Sequence, residues 1–167
     1  MHVNRGLEAI RVLKGGAYKG SWIAFAERLL DKSGNHTGWL WTSMGPKTVH
    51  LKNIGGYDIT DLSSLDDGTV FVLERRFNWL EGLKIRVRRI SPEELQPGQT
   101  AVGDILLEAD LNDDIDNMEG LSATRLADGQ VILTMISDDN FNHILQRTVL
   151  LQFAVGSSEQ AKTRLAD

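Results

Sequence analysis

The feature that most constrains this chain is a phrase that it repeats. Gly6-Leu7-Glu8-Ala9-Ile10-Arg11, closed by Gly15, returns as Gly120-Leu121-Ser122-Ala123-Thr124-Arg125, closed by Gly129. Between them, Ile59-Thr60-Asp61-Leu62-Ser63-Ser64-Leu65-Asp66-Asp67-Gly68 fits the same frame with less identity. The intervals between Gly15, Gly68 and Gly129 are those of propeller blades with long hairpins, so three structural units are expected.

An apolar strand follows each closing turn: Trp22 to Ala26, Thr69 to Leu73 and Val131 to Ile136. Near-continuous hydrophobicity of this kind marks strands covered on both faces, as the inner strands of stacked blades are. Third strands are expected at Gly38 to Thr42, Leu83 to Ile90 and Thr148 to Ala154, and fourth strands at Thr48 to Lys52 and Gly103 to Ala109. The expected fold is therefore all-β, a partial β-propeller of about three four-stranded antiparallel blades over residues 1–155. Residues 156–167 read as a polar tail. Helix signals are confined to a turn within Ala24 to Leu30 and a Pro-capped turn at Ser91 to Leu95. Trp22, Trp39, Trp41 and Trp79 are expected to pack between blades, and the Lys84, Arg86, Arg88 stripe to form an exposed outer face.

Composition removes several function classes. A net charge of -5 argues against an extended phosphate-binding surface, so no nucleic-acid partner is expected. The absence of cysteine excludes disulfides, thiolate metal sites and a thiol nucleophile. No apolar run approaches the ~20 residues of a membrane helix, and no leader pattern opens the numbering, which suits an excised domain or a mature portion. The four histidines lack ligand spacing, and no Gly-x-Ser-x-Gly elbow is present.

Blade geometry sorts the remaining polar residues. The start of a first strand and the end of a second lie on one rim, so Asn4-Arg5, Tyr57-Asp58 and Asn117-Met118-Glu119 should meet Glu27-Arg28, Glu74-Arg75-Arg76 and Ser137-Asp138-Asp139-Asn140 at one mouth. Gathered carboxylates and amide oxygens suit a hard cation such as calcium, and arginines beside them suit a phosphate or carboxylate group. Asp138-Asp139-Asn140 lacks the central Gly and late Glu of an EF-hand loop. The acidic run Asn112 to Asn117 is expected to be a solvated loop or a peripheral cation site.

Several segments carry a resemblance: Asn4 to Ala9, Glu74-Arg75-Arg76-Phe77, Asp116-Asn117-Met118-Glu119-Gly120-Leu121, Ser137-Asp138-Asp139-Asn140-Phe141, and Gln146-Arg147-Thr148 with Leu150-Leu151-Gln152-Phe153. Together they resemble the later blades of the phytase-like, "esterase-like activity of phytase" family. The resemblance implies a bacterial exported protein, periplasmic or extracellular, tied to hydrolysis of a small phosphorylated or ester substrate. Under a metal-dependent phosphoesterase reading, Glu74, Glu119 and Asp138 act as catalytic groups. Arg75, Arg76 and Arg147 clamp the substrate, and Glu119, Asp138, Asp139 and Asn140 hold calcium. The alternatives are a non-catalytic envelope propeller that binds a ligand or partner at the same mouth, and a calcium-dependent lactonase-like propeller enzyme. Family members are about twice this length, so the terminal blades are expected to lack neighbours and two copies to complete one ring as a homodimer.

Overall fold

A computed structural model describes residues 6–139 and 147–156. Twelve strands lie among these residues: β1 (Leu7–Val12), β2 (Trp22–Leu30), β3 (His36–Thr42), β4 (Gly45–Leu51), β5 (Asp58–Ser64), β6 (Val70–Asn78), β7 (Gly82–Ile90), β8 (Thr100–Ala101), β9 (Asp104–Asp110), β10 (Met118–Arg125), β11 (Val131–Ser137) and β12 (Leu150–Val155). No helix occurs among the described residues, so the two helical signals resolve differently. Ala24 to Leu30 continues strand β2, and Ser91 to Leu95 forms turns in which the Ser91 amide donates to the Glu94 carboxylate at 3.1 Å.

The strands form three sheets in chain order. The first is β1-β2-β3-β4-β8, the second β5-β6-β7-β9 and the third β10-β11-β12. The second sheet is the expected four-stranded antiparallel meander. The first gains a fifth strand, because the chain leaving β7 returns to lay the two-residue β8 parallel to β4. The third has three strands among the described residues.

The second sheet is the middle layer, and its alternation decides what each face meets. Val70, Val72 and Ile90 join Ile23, Phe25, Leu40 and Leu51 of the first sheet in one core. Phe71, Leu73, Ile85 and Val87 join Met118, Leu121, Leu133 and Met135 of the third in another. A strand with both faces covered has no solvated side to mark it in sequence, which is why Val70 to Leu73 of β6 reads as an unbroken apolar run.

The innermost strands β1, β5 and β10 stand side by side, joined by side chains instead of a continuous backbone ladder. Asp61 of β5 accepts from the Leu121 amide at 2.8 Å and from Arg11 at 3.0 Å. Ser63 accepts from the Ala123 amide at 2.9 Å, and Ser64 donates to the Val12 carbonyl at 3.3 Å. Each inner strand also carries a register shift near its start: Leu7/Ala9, Ile59/Asp61 and Met118/Gly120. Such shifts bend a strand and re-aim the residue between.

The repeat glycines have a packing reason. A Cβ built on Gly15 would lie 2.0 Å from the Asp66 carbonyl oxygen, and one on Gly68 would lie 2.7 Å from Gly16 Cα. Only backbone fits where the turns of the first two sheets cross. The third glycine, Gly129, has nothing within 4 Å of such a position.

Candidate functional site

One end of the inner strands gathers charge from all three sheets. Arg75, on β6, is its centre: Nη1 donates to Asn117 Oδ1 and to Glu119 Oε1, the latter at 2.5 Å, while Nη2 lies 3.7 Å from Glu27 Oε1. Asn117 completes the link by donating from Nδ2 to Glu119 Oε1 at 2.9 Å. Glu119 is the residue inside the β10 register shift, and that irregularity presents its side chain to the group. On the other flank Arg28 pairs with Asp58 at 2.6 Å and lies 3.9 Å from Glu27.

Backbone register explains the convergence. Asp58 pairs with Arg75 across β5 and β6, and Met118 pairs with Ser137 across β10 and β11, so first-strand starts lie opposite second-strand ends. Below the cluster, Asp116 is buried and receives the Asn117 amide and the Arg147 amide, each at 2.8 Å. Ser137 donates to the Arg147 carbonyl at 2.7 Å. The end of the acidic run is thus a structural anchor and not a solvated loop, although residues 111–114 are exposed.

Glu27 is the buried carboxylate of the group. Burial pushes its carboxyl above the ordinary value, Arg28 draws it back down, and Asp58 pushes it up again. A carboxyl of this kind keeps its proton to higher pH than an exposed glutamate does.

The structure divides the sequence-derived site residues. It brings Arg75 and Glu119 together and sets Asp138 beside them, the Asp138 amide donating to the Asn117 carbonyl at 3.0 Å. Glu74 is elsewhere. It lies on the opposite face of β6, fully buried, gripped by Arg88 Nε at 2.7 Å and Nη2 at 2.5 Å. Arg88 also donates to the Lys52 and Val102 carbonyls at 2.8 Å. Arg76 shares that opposite face, bound to the Gly55 carbonyl at 3.0 Å and to Glu81. Arg147 touches the site through its amide, while its guanidinium is mostly exposed and 4.0 Å from Asp114. Asn140 lies outside the described residues, as do Asn4 and Arg5. Asn117 and Glu27 are missing from the sequence-derived set of ligands and clamps; their signal was their place at strand ends.

Two readings of side-chain stripes are corrected. Arg86 and Arg88 are buried between the first and second sheets, not on an outer face. Alternation fixes which residues share a face, and in a middle layer that face is covered. Trp79 is 92% exposed and Trp22 52%, so neither packs between sheets here.

A calcium ion takes six to eight oxygens. Glu119 and Asn117 turn theirs onto the Arg75 guanidinium, and among the described residues no group of three or more His, Asp or Glu is set to hold a metal. Asn140, one of the four expected calcium ligands, lies outside the described residues.

A family model described as "Phytase-like: Esterase-like activity of phytase" covers residues 1–141, which includes every residue of this cluster. No curated protein and no solved structure matches the chain.

Proposed function

The chain belongs to the phytase-like family, esterase-like activity of phytase, and from that membership we propose that it serves as the later blades of a propeller hydrolase acting on a small phosphoester or ester. The reaction is assigned to the Glu27, Arg75, Asn117, Glu119 cluster. The observation that carries this reading is the pair of carboxylates held on either side of Arg75, one from the first sheet and one from the third. A phosphoryl or carbonyl oxygen binds Arg75 and Arg28, whose guanidinium forks suit it. Glu119 takes a proton from the attacking water, and the buried Glu27 gives one to the departing alkoxide. One water is consumed, the ester bond breaks, and the acid and alcohol leave. No step is routed through a metal, and Asn117 and Glu119 both bond Arg75.

The test is a panel of phosphomonoesters, carboxylic esters and lactones assayed with and without added calcium. Turnover of one class that Arg75→Ala reduces by about 100-fold supports the reading. Turnover unaffected by that substitution sinks it.

The binding-module alternative also has an observation behind it: both Glu27 and Glu119 are engaged by arginine, as in a saturated ion-pair lattice. It predicts anion binding at Arg75 with no turnover of any panel member. The lactonase-like reading needs an axial calcium, and it predicts turnover of a lactone that depends on the added ion.

The propeller reading extends to assembly. The outer face of the first sheet presents Ile10, Val12 and Trp22, with Trp22 paired across strands to Trp41 and Ala24 to Trp39. The outer face of the third presents Ile136 and Leu150. Stacking these faces between two copies continues the sheet-on-sheet packing within one chain and closes a ring. An exported, cell-envelope setting is part of the same proposal.

A further inference from the structure

The hairpin joining β6 to β7 carries an apolar tip that the packing of the sheets does not use. Trp79 is 92% and Leu80 95% exposed, and Phe77 is more than half exposed. The Phe77 and Trp79 rings meet edge to face, with centroids 5.3 Å apart. An exposed Trp held against a second aromatic ring is a preformed surface, since the contact limits its rotamers before anything binds.

Its position gives it a role. The β6–β7 ladder runs without a register shift from Val70/Ile90 to Asn78/Gly82. Side chains alternate along such a strand, so Arg75 and Phe77 share one face, roughly 7 Å apart along the chain. That face is the one turned toward Asn117 and Glu119. A guanidinium and two aromatic rings therefore follow one another outward from the cluster. Arg76, on the other face, is taken up by Glu81 and the Gly55 carbonyl.

We infer that the Phe77–Trp79 pair is the specificity surface of the site, and that the preferred substrate is amphiphilic: an anionic or ester head at Arg75 carrying an aryl or acyl arm that lies on the two rings. This rests on the site assignment above, and it selects arylated or acylated esters over purely hydroxylated phosphates, whose polar arms gain nothing from an apolar ledge.

The experiment separates this inference from the hydrolase reading by measuring binding of non-hydrolysable probes. Calorimetric titration of the whole chain with phenylphosphonate and methylphosphonate should show the phenyl compound binding about tenfold more tightly. Trp79→Ala should remove that preference and leave methylphosphonate unchanged. Phe77→Ser, a second exposed position, should reduce it. Melting temperatures within a degree or two of the parent confirm that both variants fold. If the preference is present and lost in Trp79→Ala while no ester is turned over, the inference stands and the hydrolase reading fails. Equal binding of the two probes, or a preference that survives Trp79→Ala, overturns the inference even where esters are hydrolysed.

Discussion

Arg88 and Glu74 meet through two hydrogen bonds at a point where neither side chain has any solvent exposure. Burial pushes the Glu74 carboxyl upward, and the Arg88 bond and charge oppose it. The Lys52 and Val102 carbonyls take further Arg88 donors, so the guanidinium bridges the second sheet to the first. A buried pair of this kind adds little over an apolar replacement, yet losing one partner leaves a bare charge.

Glu74→Ala should accordingly lower stability by about 3–5 kcal/mol. Urea unfolding followed by circular dichroism measures it. Any activity lost should track the folded fraction, with kcat per folded molecule unchanged. A stable Glu74→Ala protein with a specific kcat defect would return Glu74 to the catalytic set.

His36 gives the fold an acid limit. Its imidazole is buried, and burial first and Arg88 second push its pKa down from 6.5 to about 4, against Asp58 and the Tyr57 backbone, which raise it. The folded state thus prefers neutral His36. Its contribution is whole above pH 6.5 and is lost as pH falls toward 4, by roughly 3 kcal/mol at most. Between pH 7.5 and pH 4 the parent should lose roughly 3 kcal/mol of stability relative to His36→Leu, whichever of the two is the more stable at pH 7.5. A constant separation at every pH would contradict this.

Glu27 sets a limit in the other direction, on rate. In the proposed reaction Glu27 donates a proton and so must be protonated, and its raised pKa extends that state upward in pH. The rate should fall as pH rises through this value. Glu27→Gln should lower kcat by about 100-fold or more and abolish that alkaline limb. A Gln variant that keeps the limb assigns it to another group.

The two repeat glycines should respond differently to a single methyl group. Gly15→Ala drives a Cβ into the Asp66 carbonyl and should cost about 2–4 kcal/mol. Gly129→Ala meets open space and pays only for its φ of +88, about 1 kcal/mol. Thermal melts of the two variants decide it, and equal losses would show that the crossing of the turns is not what Gly15 serves.

Assembly is checked by sedimentation at micromolar concentration. The parent should run at twice the chain mass, and Trp22→Glu, which puts a charge in the outer face of the first sheet, should run as a single chain. A monomeric parent removes the homodimer from the proposal.

Much of this was legible before any coordinates. The apolar runs at Trp22, Val70 and Val131 gave β2, β6 and β11, and the repeated phrase located β1, β5 and β10. Rim geometry alone put Glu27, Arg75 and Glu119 at one end. What stayed hidden depends on layering. Lys84-Ile85-Arg86-Val87-Arg88 has the same period whether its charged face is wet or dry, and only the first sheet lying over it makes Arg88 interior. Glu74 and Arg75 are neighbours in sequence, and the strand's pleat sends one into a core and the other into the cluster. The two-residue β8 has no pattern to read, since its pairing with β4 depends on how the chain returns from β7.

The joints between inner strands bear on how such a chain arises. Asp61, Ser63 and Ser64 reach the adjoining strands through single side chains, and among the described residues no backbone ladder runs from sheet to sheet. A unit bounded by such joints is a cassette: gene duplication can insert or delete one whole, and the neighbours need only the same few polar side chains to accept it. The count of such sheets is then free to drift in evolution while each sheet keeps its own register.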